Sequence, residues 1–164
     1  MIEQLHASKQ AWMASHITDA EYPTELSKQG LSLYQSQQDE TTSTSLNAPQ
    51  PLPSQHLSFY PVDCHPLTIR YALIRSKQWQ DENQQEAVME YLTQIMFEAD
   101  SPAQLYVGFF KGKPAACGML YQNEQGSLIS DVYALPLPNQ AELIAEMTAY
   151  LSTQASADSL YIEH

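Results

Sequence analysis

A chain of 164 residues with a 43% hydrophobic share is long enough to bury a sizeable core, which excludes wholesale disorder. Seven Lys and Arg against 19 Asp and Glu leave a formal charge of −12. That balance argues against nucleic acid and against an anionic membrane surface, both of which are held by cations. Two cysteines, Cys64 and Cys117, are too few for a disulfide framework or a four-thiolate zinc site.

Residues 1–34 read as a helical arm. Ile2, Leu5, Trp12, Met13, His16 and Ile17 recur at three- and four-residue spacing. Thr18 or Asp19 then offers a cap for a second helix carrying Leu26, Leu31, Leu33 and Tyr34, weakened at Gly30. Residues 35–56 are polar, with three prolines and a Ser/Thr cluster, and read as a flexible linker. The opening residues lack the basic start and apolar run of a secretory signal, and no stretch approaches the roughly 18 apolar residues of a membrane span. A cytoplasmic location, away from membranes, is the expectation.

The main domain, 57–164, opens with Leu67–Ile74, whose alternation predicts a strand behind Pro66. Asp81 followed by Gln84 resembles a capping box. The helix it opens would place Val88, Leu92, Ile95, Met96 and Ala99 on one face and end at Ser101-Pro102. Gln104–Phe110, Ala115–Gln122 and Ser127–Leu135 predict an antiparallel meander, turning at Lys111–Pro114 and Asn123–Gly126. Asn139 caps a further helix with Leu143, Ile144, Met147, Tyr150 and Leu151 as its buried stripe, and Ser159–Glu163 predicts a last strand reached by a parallel crossover. The expected fold class is α/β (α+β), with a mixed, mostly antiparallel sheet and flanking helices.

Strand, helix, three-strand meander, helix, strand resembles the Gcn5-related N-acetyltransferase (GNAT) family of acyl-CoA N-acyltransferases. The stretch LYVGFFKGKPAACGMLYQNEQGSLISDVYALP, Leu105 to Pro136, is similar to that family's second to fourth strands, and Val132-Tyr133-Ala134-Leu135-Pro136 to its hydrophobic-x-Pro signature. The resemblance covers residues 67–163. It implies acetyl-CoA as cofactor, its pantetheine pairing with Tyr133, Ala134 and Leu135 and its phosphates meeting Leu137, Asn139 and Gln140 at a helix start. It implies attack of an amine, from a small molecule or a basic protein, on the thioester, with a carboxylate as base. Asp131 is the base candidate, and Tyr121 or Tyr133 the donor to the leaving thiolate. The family's strand order also continues past the fifth strand, so the arm or a second copy, as a homodimer, would complete the sheet.

The phosphate loop departs from the family's Arg/Gln-x-x-Gly-x-Gly/Ala pattern. Leu137-Pro138-Asn139-Gln140-Ala141-Glu142 has neither glycine, Pro138 has no N–H, and from Pro114 to His164 there is no Lys or Arg. Glu142 and Glu146 occupy the helix start, where a phosphate would sit. The alternative is a non-catalytic GNAT-like domain acting as a protein-binding, adaptor or chaperone module. Cys64 and His65 are adjacent, so strand-like geometry would turn them to opposite faces, and the remaining histidines lack ligand spacing; no metal site is expected.

Overall fold

The computed structural model describes residues 2–53, 55–98, 100–156 and 159–164. Two helices, α1 (Ile2–Thr18) and α2 (Glu25–Gln38), lead into a short strand β1 (Ser43–Leu46). Then come β2 (Leu57–Pro61), α3 (His65–Ser76), α4 (Glu82–Leu92), the meander β3 (Ala103–Phe110), β4 (Lys113–Asn123) and β5 (Gly126–Ala134), α5 (Gln140–Gln154) and β6 (Leu160–Glu163). The six strands form one sheet in the order β1-β6-β5-β4-β3-β2. β5 and β6 are parallel and every other pair is antiparallel, so the expected α/β class with a mixed, mostly antiparallel sheet holds. Among the described residues no helix is long and apolar enough to cross a membrane.

The sheet separates two apolar layers. Leu105, Val107, Cys117, Met119, Tyr121 and Leu128 face α1–α4, while Ala116, Leu120, Ile129 and Ala134 face Leu143, Met147 and Leu151 of α5. The meander turns where expected: Lys111 and Gly112 both hold positive φ, 51° and 79°, which glycine supplies without a steric cost.

Four expectations change. Leu67–Ile74 is not a strand but the body of α3, because Thr68, Tyr71, Ala72 and Arg75 are buried at helical spacing and Pro66 suits a first helical turn. The edge strand is instead β2, ten residues earlier, against β3. α4 ends at Leu92, well before Ser101-Pro102, so Ile95 is buried from a loop, Met96 is exposed, and Ala99 lies outside the described residues. The cap of α2 is Thr24, whose Oγ1 accepts from Ser27 N at 3.1 Å, rather than Thr18 or Asp19.

Within 35–56, Gln35–Gln38 complete α2 and Ser43–Leu46 pair with β6. The sheet is thus extended past β6 by a segment of the chain's own N-terminal part. Gly30, which weakens α2 as an isolated helix, lets it lie against α4: a Cβ there would stand 2.0 Å from Ala87 O. Between β1 at one sheet edge and β2 at the other, residues 47–53 form a strap outside α5. Gln50 N donates to Ser152 Oγ at 2.8 Å and His56 N to Glu146 Oε1 at 2.8 Å.

Candidate functional site

The local irregularity of the sheet is at Asp131. The β4–β5 register shifts between Cys117/Tyr133 and Met119/Ser130, and Asp131 takes a φ of 59°, a left-handed conformation that aspartate tolerates better than most residues. At the same level the pairing of β5 with β6 stops. Their pairing covers Ser127–Ile129, and β5 runs on through Ala134 without β6 beside it.

Around this point lies a buried charged cluster assembled from five elements. Tyr34 Oη donates to Asp131 Oδ2 at 2.8 Å, and Gln38 Nε2 donates to Oδ1 at 3.1 Å. Lys9 Nζ stands 3.9 Å and Arg75 Nη2 4.0 Å from Oδ1. Lys9 also donates to Ser130 Oγ at 2.8 Å, to Gln38 Oε1 and to Glu163 Oε1, while the other Glu163 oxygen meets His6 Nδ1. Arg75 donates to Gln37 Oε1 at 2.7 Å and to Gln78, and its guanidinium lies 5.0 Å from the Trp79 ring. Lys9 and Arg75 against Asp131 and Glu163 make two cations and two carboxylates, so the cluster balances without outside charge.

Burial alone would raise the Asp131 pKa, but Lys9 and Arg75 outweigh it and hold the carboxyl below its ordinary value. A carboxylate in that state, with its side chain 1% exposed and both oxygens engaged, is an ion-pair partner more than a proton acceptor. Tyr34, Tyr71 and Tyr91 are the tyrosines that feel its charge, after burial, and all three hydroxyls are pushed well above the usual range. Tyr121 is on β4 facing Leu128, three positions from where the bulge sits, and only burial raises its hydroxyl. The structure therefore does not bring Tyr121 to Asp131. The Tyr133 hydroxyl reaches toward Lys77 O at 3.3 Å. Burial pushes the Cys117 thiol up to about 12, which leaves it an inert small hydrophobe.

The cofactor-facing positions can be placed in the same way. Leu135 N donates to Ala115 O, so Leu135 and, two residues away, Tyr133 turn their backbone groups toward β4. Ala134 turns its own toward the open side, where Gln140 Nε2 donates to its carbonyl at 2.8 Å. Leu137 N donates back to Leu135 O at 2.7 Å, and Gln140 N to Leu137 O at 3.0 Å. Asn139 precedes α5 without a side-chain cap bond. The chain thus uses for itself the Ala134 carbonyl and the Leu137 and Gln140 amides, and Glu142 adds negative charge in the first turn of α5. These residues do not fit an acyl-CoA. Among the described residues there is also no group of three or more His, Cys, Asp or Glu arranged to hold a metal ion.

Lys9, Gln38 and Arg75 carry the cluster, and the apolar pattern passes over all three. The signal for them is a polar residue at a buried-stripe position. Lys9 lies between Leu5 and Met13, Gln38 four residues after Tyr34, and Arg75 four after Tyr71, and each is buried.

No protein-family model and no curated protein matches the chain. Among solved structures it is similar to a functionally unknown conserved protein from Staphylococcus epidermidis ATCC 12228, with a TM-score of 0.58 at 10% sequence identity. The match covers 80% of this chain and 55% of that one, so the chain spans about half the length of that protein. At this identity the likeness bears on the fold alone.

Proposed function

We propose that this protein is a GNAT-like module that works by binding rather than by acyl transfer. The observation that carries the reading is Lys9. An amine from the N-terminal arm is fixed where the β5–β6 pairing stops, by Glu163, Ser130 and Gln38, with Asp131 beside it. In an acyltransferase of this architecture the unpaired part of β5 would meet the acyl carrier. Here the arm stands over it, and the base candidate Asp131 is committed to the arm's own side chains. The self-bonded turn from Leu135 to Gln140 supports the same reading.

Catalysis has one observation in its favour, the bulge at Asp131 next to an unpaired half of β5. Calorimetric titration of the full chain with acetyl-CoA, with desulfo-CoA alongside, separates the two readings. No heat of binding up to millimolar ligand is the expected result. Micromolar binding of acetyl-CoA would overturn the binding-module reading and return the protein to the acyltransferases.

A further inference from the structure

The surface on which such a module could take a partner lies at one end of the helical layer, away from the buried cluster. Three helix ends meet there. His16 Nδ1 near the end of α1 accepts from Met96 N at 3.4 Å, and Thr24 Oγ1 at the start of α2 donates to Glu90 Oε1 of α4 at 3.3 Å. Between α1 and the loop after α4 lies a cleft of about 350 Å³ lined by Trp12, His16, Met96, Glu98, Asp100 and Pro102 among others.

Two properties coincide at this end. The first is exposed apolar surface: Tyr22 is 86% and Met96 75% exposed, the two most exposed large apolar side chains among the described residues. Trp12 extends that surface inward, stacked edge-on against His16 and tilted against Phe97. The second is charge. Asp19, Glu21, Glu25, Glu90, Glu98 and Asp100 belong to segments 15–28 and 90–102, which between them hold one Lys and no Arg. That lysine, Lys28, is 3.2 Å from Glu25 and so answers one carboxylate locally. His16 adds no cation at neutral pH, because burial lowers its pKa against the opposing pull of Asp19.

Apolar side chains held out in water cost free energy unless something covers them, and a ring of like charges around them excludes a second acidic surface. A second copy of this chain, at −12, is therefore a poor occupant. We infer that this end is a docking surface for a cationic amphipathic peptide segment of a partner protein. Its apolar side chains would cover Met96 and Tyr22 and enter the cleft above Trp12, and its Arg or Lys would meet Glu98, Asp100 and the neighbouring carboxylates. The inference deepens the binding reading above by naming a partner class. It concerns a surface remote from the end of the β5–β6 pairing, so it can fail while the acetyl-CoA result stands, and the reverse.

The test uses a fluorescein-labelled synthetic peptide alternating Arg and Leu, followed by anisotropy on the full chain. Two further peptides replace Arg by Glu or Leu by Ser. Binding of the Arg–Leu peptide alone is expected, weakening with added salt as screening shortens the reach of the carboxylates to roughly 8–10 Å. M96S combined with Y22S, and separately E98Q combined with D100N, should each weaken it at least about fivefold. E124Q, on the β4–β5 turn, should leave it within about twofold. All four altered side chains of the two double variants are exposed, and thermal midpoints check that the fold is kept. Absence of binding, equal binding of the Arg–Ser peptide, or double variants that bind like the parent would each overturn the inference.

Discussion

Asp131 shows how a single side chain can be read two ways. On a strand, next to a stretch that resembles a family signature, it has the chemistry of a general base. In place, it is the negative centre of a buried cluster whose cations come from α1 and α3. Its depressed pKa also fixes a sign for acid stability. The folded state binds this proton less readily than the unfolded chain, so the stabilisation is fully present above the ordinary carboxylate pKa of about 3.9 and is lost as pH falls through the lower folded value. Measured from pH 6 down to pH 2, the difference in urea midpoint between the parent and D131N should be level above about pH 5 and shrink below it. The tyrosines around it should separate likewise. Tyr34 donates to the carboxylate, and Y34F should cost about 1.5–3 kcal/mol. Tyr71 Oη is buried without a hydrogen-bond partner, so Y71F should be neutral or stabilising by urea denaturation.

At the scale of elements, what could be read from the sequence depended on whether a segment's pattern had one reading. The meander did: three alternating runs joined by glycine-bearing turns give β3–β5, each within two residues of expectation. The stretch Leu67–Ile74 did not, since an apolar run with period-two alternation can also satisfy a helix, and burial at 68, 71, 72 and 75 decides for α3. β1 was illegible for a different reason. Ser-Thr-Ser-Leu has no apolar face, and it is a strand only because β6 offers an edge. The cluster was half legible: Asp131 stood out on its strand, whereas Lys9, Gln38 and Arg75 look like ordinary surface residues until the helices are docked. Gly30 belongs here too. Alanine is the better helix former by about 1 kcal/mol, yet G30A should destabilise by about 1–3 kcal/mol, because the new Cβ meets the Ala87 carbonyl where α2 crosses α4. Urea denaturation of G30A against the parent decides it; a gain in stability would mean that the two helices can move apart at little cost.

At the scale of the whole molecule, the N-terminal third is built into the domain on both faces of the sheet. α1 and α2 complete the layer over β5, β1 extends the sheet beyond β6, and the strap passes outside α5 on the way to β2. Its prolines, Pro49, Pro51 and Pro53, suit an extended path that has no ladder to donate to.

The β1–β6 pairing also sets an order of events during synthesis. Thr42 N donates to His164 O at 2.8 Å and His164 N to Thr42 O at 2.9 Å, so a segment is matched to one made more than a hundred residues after it. Until β6 emerges, Lys9 has no Glu163, β1 has no neighbour, and the apolar side of the arm has only part of the layer it will join. The meander, whose contacts are local, can form while translation continues, whereas closing a loop of more than a hundred residues must wait until β6 has been made. The arm is therefore made well before the strand that seats it, and through that interval its leucines and tyrosines are a part of the nascent chain that a ribosome-associated chaperone would find.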